Sequence, residues 1–171
     1  LSTHRHTGRN PMPKPLILTF LGGGSRRILG LLRGALGRGL LQDGGIRLFD
    51  PREERAAAVA AVLRRTPEFA ASPCRVSTHG RSQEALEGAD LVYAVFPCGS
   101  RLRLHQSMLA CRLRGHIGSD QLSPSGAIMA LKGGPIILDY ARQMERCCWR
   151  NPDARRRSGS SIAWPKTAGT V

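Results

Sequence analysis

The stretch Leu16-Ile17-Leu18-Thr19-Phe20-Leu21-Gly22-Gly23-Gly24-Ser25 decides how this chain folds. Six mostly apolar residues run straight into three glycines and a serine. Residues 26–36 then place Ile28, Leu29, Leu31, Leu32, Ala35 and Leu36 at spacings that wrap one broad helical face. Gly37 and Gly39 stop that helix, and a second short apolar run, Ile46-Arg47-Leu48-Phe49, ends in Asp50. The order predicts strand, glycine turn, helix, strand, acid. Glycine suits the turn because a backbone without Cβ adopts positive φ and lets a pyrophosphate come close, while the next helix offers unpaired N–H groups and a positive dipole end. An acid at the end of the second strand can accept hydrogen bonds from the ribose hydroxyls of a dinucleotide. Gly22, Gly23, Gly24, Ser25, Arg26 and Asp50 therefore form a candidate nicotinamide-dinucleotide half-site.

The match to G-x-G-x-x-G is partial, because the third glycine falls at Arg27. The strand before the turn, the helix after it and Asp50 supply the context that a bare glycine triplet lacks. A Walker loop is excluded, since no Gly-Lys-Ser/Thr follows. Asp50 keeps a second reading: with Pro51 after it and Glu53 three residues on, it could cap the next helix.

Working outward, strand and helix continue to alternate. Residues 51–65 read as an alanine-rich helix, 75–78 as a strand, 82–87 as a short helix. Leu91-Val92-Tyr93-Ala94-Val95-Phe96 is nearly all apolar, as expected of a strand buried on both faces at the centre of a parallel sheet. Ligands sit beyond such strand ends, so Phe96 joins the candidate cofactor residues. A basic helix follows over 101–114, then a polar, glycine-bearing loop over 115–126. The last helix, 127–148, is interrupted at Gly133-Gly134-Pro135, where a kink or two helices are expected. The predicted fold is α/β, a Rossmann-like doubly wound and mostly parallel sheet with flanking helices.

Composition narrows the function classes. The 171 residues suffice for one domain with a sizeable core, and no apolar run approaches the roughly 20 residues needed to span a bilayer. Residues 1–15 carry no apolar signal-peptide core, so a cytoplasmic protein is expected. The net charge of +14 rests on 23 arginines against 3 lysines, scattered along the chain, and Phe20, Phe49, Phe69 and Phe96 are not interleaved with basic clusters. Nucleic-acid binding is the weaker reading for that reason. Cys74, Cys98, Cys111, Cys147 and Cys148 form no C-x-x-C pair and are odd in number, which argues against a metal knuckle or a disulfide framework. His4 and His6 lie in a polar tail and read as disordered chain before they read as ligands.

Four segments together resemble the N-terminal half of glycoside hydrolase family 4. They are Leu21-Gly22-Gly23-Gly24-Ser25, Leu48-Phe49-Asp50-Pro51-Arg52-Glu53-Glu54-Arg55, Ala85-Leu86-Glu87-Gly88-Ala89-Asp90, and the loop Gly115-His116-Ile117-Gly118-Ser119-Asp120-Gln121-Leu122-Ser123-Pro124-Ser125-Gly126 leading into Ala130-Leu131-Lys132-Gly133-Gly134-Pro135-Ile136. The likeness runs from about residue 15 to 154. It implies an NAD- and divalent-metal-dependent glycosidase acting on α- or β-glycosides, often 6-phosphorylated, whose members form homo-oligomers. It also implies a mechanism outside the two-carboxylate scheme: NAD takes hydride from C3 of the sugar, a tyrosine removes the acidified C2 proton, and manganese held by a cysteine and a histidine stabilises the enediolate. Elimination, addition of water and return of the hydride complete a hydrolysis with no net redox change.

Residue by residue, the resemblance assigns Gly22, Gly24 and Ser25 to the dinucleotide turn and Asp50 to the acid. Asp120 falls where the family has a glutamate that raises the basicity of the tyrosine; alternatively it is a loop cap. Arg101 and Arg103 fall where a sugar-contacting arginine is expected. No residue matches the metal ligands: Cys98, Cys111, His105 and His116 lie at other positions. Beyond Ala154 the family continues into a buried strand and its metal and base residues, whereas residues 155–171 open on Arg155-Arg156-Arg157-Ser158-Gly159 without strand alternation. The expected organisation is a disordered tail over 1–14, with 1–11 as extra translation before Met12, then an NAD-binding Rossmann-like domain over 15–154. An aberrant or truncated end over 155–171 completes it. Two other readings remain open: the Rossmann domain of a lactate/malate-type 2-hydroxyacid dehydrogenase, and a non-catalytic basic binding module.

Overall fold

A computed structural model describes residues 15–41, 43–96, 101–119 and 123–148. By their contacts these divide into two compact units, one of residues 15–81 with Leu91–Val95, the other of Ser82–Asp90 with 96–148.

The first unit is a four-stranded sheet with three helices. The strands are β1 (Ile17–Leu21), β2 (Gly45–Phe49), β3 (Arg75–His79) and β4 (Leu91–Ala94), in the order β3-β2-β1-β4. Every pairing is parallel, with Phe20 beside Leu48 and Tyr93, and Leu48 beside Thr78. The helices are α1 (Arg27–Gly37), α2 (Glu53–Arg64) and the one-turn α3 (Pro67–Ala70). Leu18, Phe20, Ile46 and Leu48 alternate along β1 and β2, so they share one face of the sheet. Onto that face α1 lays Ile28, Leu32 and Leu36, and α2 lays Ala56, Val59, Ala60 and Leu63. These spacings of three and four are those of one helical stripe, and together they form the core. Phe20 adds a tilted ring contact to Tyr93, with centroids 5.7 Å apart.

Helix ends follow the local chemistry. Gly39 has φ 68°; its N–H donates to Leu36 O and that of Leu40 to Ala35 O, the paired bonds of a Schellman motif. Pro67 opens α3 after Thr66, whose hydroxyl donates to Leu63 O. Arg33 of α1 reaches Glu68 of α3 at 2.8 Å, which holds the Glu68 carboxyl below its usual range.

The second unit contains α4 (Ser82–Leu86), α5 (Arg101–Leu113) and α6 (Pro124–Cys147). Gly115, at φ 76°, ends α5 with the same motif: its N–H donates to Arg112 O and that of His116 to Cys111 O. Ser82 donates to Gln143 at 2.7 Å, and Phe96 packs on Tyr140 with ring centroids 5.5 Å apart. No helix among the described residues is long and apolar enough to cross a membrane.

The α/β expectation holds, with three corrections. The apolar run at 91–96 is not the centre of the sheet: β4 pairs with β1 alone among the described strands, and Leu91 and Tyr93 are 52% and 49% exposed. An apolar run signals that a segment tends to be covered; it does not say by how many neighbours. Helix α6 begins at Pro124 and passes through Gly133, Gly134 and Pro135 as one element, since a single proline removes one N–H and leaves the other bonds of a long helix in place. The third is α3, which sequence periodicity missed because one turn is too short to show a period. Both tails, 1–14 and 155–171, lie outside the described residues.

Leu32 is fully buried, whereas its neighbour Leu31 is half exposed. Leu32→Ala is expected to lower stability by about 2–5 kcal/mol, and Leu31→Ala by under about 0.5 kcal/mol, in urea unfolding followed by circular dichroism. Equal losses at the two positions would contradict the packing of α1 on the sheet.

Candidate functional site

Strand β1 ends at Leu21 and the chain turns at once. Gly22 takes φ 89°, which only glycine adopts without strain. The N–H groups of Gly22 and Gly23 both donate to Phe49 O, at 2.8 and 2.7 Å, so the turn is stitched to the end of β2. Ser25 N–H donates back to Gly22 O at 3.1 Å, and α1 starts from Arg26 without a side-chain cap and with no acid in its first turn. Gly22, Gly23 and Gly24 are buried, Ser25 is half-buried and Arg26 is exposed.

The closeness of the turn to β2 has a steric cause. A Cβ on Gly23 would stand 2.7 Å from Leu48 Cβ. One on Gly24 would stand 2.6 Å from both Asp50 Oδ2 and Arg55 Cβ. Real side chains do not approach so closely, so both positions demand glycine for space and not for φ.

Asp50 is half-buried beside this turn. Its Oδ2 accepts the Gly24 N–H at 3.1 Å, and its Oδ1 accepts the Arg52 N–H at 3.0 Å. The capping alternative is thereby corrected: the residue in the N-cap position of α2 is Arg52, and Asp50 holds that residue's N–H from two positions upstream. A carboxylate has about four lone-pair directions, and two are used here. The remainder can accept ribose hydroxyls.

Sheet order places this turn at a functionally favoured point. Along β3-β2-β1-β4 the connections run one way from β1 and then reverse to β4, and in open α/β sheets ligands bind at the strand ends beside that reversal. Val95 N–H donates to Leu21 O at 2.7 Å, so the β1 and β4 ends stay joined up to the glycines.

The other sequence-predicted residues are placed as follows. Phe96 belongs to the second unit and is engaged by Tyr140. Arg101 and Arg103 lie exposed in the first turn of α5. Asp120 lies outside the described residues, as do residues 97–100 with Cys98. Its flanks are described: Ser119 O accepts the hydroxyls of Ser123 and Ser125, each at 2.6 Å, and Ser119 N–H donates to Ser123 Oγ at 2.9 Å. This clasp ties Ser119 to the start of α6; the serine spacing was visible in sequence, but serines are common in loops and the spacing alone did not reveal the bonds. Among the described residues no three His, Cys, Asp or Glu side chains converge to hold a metal ion.

The sequence profile of the family 4 glycosyl hydrolases matches residues 17–155. This chain belongs to that family. Its fold is similar to that of a 6-phospho-beta-glucosidase from Thermotoga maritima solved with manganese, NAD+ and glucose-6-phosphate, at 20% identity and a TM-score of 0.62, over 77% of this chain and 32% of that one. It is also similar to 6-phospho-alpha-glucosidases from gut microorganisms. One in complex with NAD and Mn2+ matches at 19% identity and a TM-score of 0.65, over 82% of this chain and 32% of that one. Another in complex with NAD and glucose-6-phosphate matches at 22% identity and 0.64, over 77% and 30%. A comparison with curated proteins finds no match. At these identities the structural likeness is one of fold, and this family 4 chain spans about a third of the length of the structures it resembles.

The glycines separate by cause. Gly24→Ala or Gly23→Ala is expected to destabilise the chain by about 1–3 kcal/mol through overpacking. Gly34→Ala, where nothing lies within 4 Å on the outer face of α1, is expected to stabilise it by about 0.5–1 kcal/mol through helix propensity. Thermal unfolding of the three variants checks this, and a tolerated Gly24→Ala would mean that the turn does not lie against Asp50.

Proposed function

We propose that residues 15–154 are the NAD-binding part of a family 4 glycoside hydrolase, and that hydrolysis of the glycoside needs groups beyond those this chain brings together. The reading is carried by one observation: the buried turn at Gly22, Gly23 and Gly24, bonded to Phe49 O and to the Asp50 carboxylate, at the reversal in strand order. Gly22 to Gly24 with Ser25 would hold the pyrophosphate, with the Arg26 guanidinium beside it. Asp50, already oriented by two backbone donors, would accept the adenosine ribose hydroxyls. NAD, when bound, supplies the hydride acceptor for oxidation at the sugar carbon. The chain's own part is to orient the dinucleotide: backbone N–H groups at the start of α1 face the phosphates, and the carboxylate fixes the ribose.

The same reading extends to the rest of the site. Phe96 would border the cofactor, Arg101 and Arg103 would meet the substrate, and Asp120 would support the base supplied elsewhere in the fold. Because the similar glucosidases were solved with glucose-6-phosphate, NAD and manganese, a 6-phosphorylated glycoside is the proposed substrate class of the whole enzyme. Manganese would belong to that whole, as would a cytoplasmic location.

Titration with NADH, followed by its fluorescence, is expected to show binding that Asp50→Ala weakens by about 1.5–3 kcal/mol, the cost of losing hydrogen bonds to a charged acceptor. Circular dichroism should confirm that the variant is folded. Undiminished affinity in a folded Asp50→Ala protein would leave Asp50 as the clamp of the turn only. Incubation of the 171-residue chain with NAD, manganese and a nitrophenyl 6-phosphoglucoside is expected to release no aglycone. Metal-dependent release would overturn the second half of the proposal.

A further inference from the structure

Helix α5 presents two unlike faces. Leu104, Ser107 and Met108 are half-buried and Cys111 is buried, on the side where α5 packs on α6. Gly118 returns over this side so closely that a Cβ on it would stand 2.8 Å from Met108 Cα. The opposite face carries Leu102, Leu109 and Leu113, at positions i, i+7 and i+11 of one stripe. They are 66%, 49% and 78% exposed, and Ile117, just past the helix end, is 89% exposed. Apolar side chains exposed in a row mark a contact, as scattered ones do not.

The charges say which contact. From Arg101 to Ser119 the sequence contains four arginines, two histidines and no acid. By helical spacing Arg112 flanks the leucine stripe on one side, in line with His105 seven residues earlier, and Arg114 flanks it on the other. Arg112 and His116 also border a recess of about 430 Å³, with Gly115, Ile117 and Gly118, which has room for a phosphate. We propose that the last two turns of α5, with the segment to Ile117, dock on an anionic lipid bilayer. Leu109, Leu113 and Ile117 enter the boundary between headgroups and acyl chains, while Arg112 and Arg114 meet the anionic headgroups. Arg101 and Arg103, at the other end of the helix, belong to the proposed substrate contact and are not needed for this one. A protein partner is held in register by charges of both signs. Here every charge has one sign, so a fluid layer of like anions satisfies the face at any position. Guanidinium heads stay wet at that layer while their stems cover apolar surface, whereas under further polypeptide each would need an acid of its own. At 13 residues α5 is too short to cross a bilayer, so it lies on the surface.

Flotation of the 171-residue chain with lipid vesicles tests the proposal. The chain is expected to float with vesicles of phosphatidylcholine mixed with phosphatidylserine, and to stay behind with vesicles of phosphatidylcholine alone. A net charge of +14 attracts anions to any face, so arginines are compared at equal loss of charge. Arg112→Ala with Arg114→Ala is expected to lower the partition coefficient by roughly tenfold or more. Arg38→Ala with Arg65→Ala, two exposed arginines of the sheet unit, is expected to lower it less than about threefold. Leu113→Ser is expected to lower it roughly tenfold, and by the same factor when salt is added, because apolar transfer is not screened. Circular dichroism should show all these surface variants folded. No flotation with the phosphatidylserine vesicles would overturn the proposal and leave the face to a protein surface. Equal losses in the two arginine pairs, or an undiminished partition of Leu113→Ser, would overturn it as well, by reducing the binding to net charge.

Discussion

Two backbone N–H groups converge on one carboxylate, and the end of the sheet beside the glycine turn depends on that meeting. Asp50 takes Gly24 N–H on one oxygen and Arg52 N–H on the other. The turn after β1, the end of β2 and the start of α2 are thereby tied to one side chain. Charge-assisted bonds of this type are worth about 1.5–3 kcal/mol each, and removing the acceptor would leave two donors beside a half-buried site without partners. The bonds are possible only because Gly23 and Gly24 let the turn lie against Leu48, Asp50 and Arg55. Steric absence at two glycines and one acid therefore form a single device. The acid is held in one orientation by its two backbone donors, and for the proposed ribose contact that would lower the entropy cost of binding.

How much of this could be read from the sequence varies with the kind of evidence each part left there. The β1 turn, α1 and β2 were legible because apolar periodicity changes from strand to helix around a glycine triplet, and Gly39 marks the end of α1 by its left-handed φ. The role of Asp50 was half legible. Its place at a strand end pointed to a ligand, but its two backbone bonds join residues 26 positions and two positions away, and no spacing rule encodes the first. The edge position of β4 was not legible, because apolar content reports burial tendency and is silent about strand order. The serine clasp between Ser119 and the start of α6 depends on two hydroxyls reaching one carbonyl, which residue types alone do not set.

Family membership and fold carry different weight. A parallel sheet in the order 3-2-1-4 is shared by many enzymes, so it limits where a ligand binds without choosing the chemistry. The profile match over residues 17–155 chooses the family, and so resolves the alternatives of a 2-hydroxyacid dehydrogenase and a basic module that the glycine turn alone left open. The family match covers about a third of the length of the similar structures, so the chemistry of the whole enzyme is not carried by this fold alone.

The starts of α1 and α2 differ in the charge that meets their positive ends. Both helices follow strands of the same parallel sheet, so both turn their positive dipole ends toward the same side. In α2 the first turn contains Glu53 and Glu54, and Asp50 holds the N–H of Arg52, so its dipole meets negative charge from within the protein. In α1 the first turn holds no acid, no side chain caps it, and Arg26 and Arg27 add positive charge. The first turn of α2 thus carries acid of its own, the first turn of α1 carries none, and Asp50 stands between the two. On the proposed reading, a dinucleotide laid across this edge would set its pyrophosphate at the glycine turn before α1 and its uncharged adenosine ribose toward Asp50 and the acidic start of α2. On that reading the +14 charge of the chain would matter only through two arginines, which stand beside an uncapped helix end.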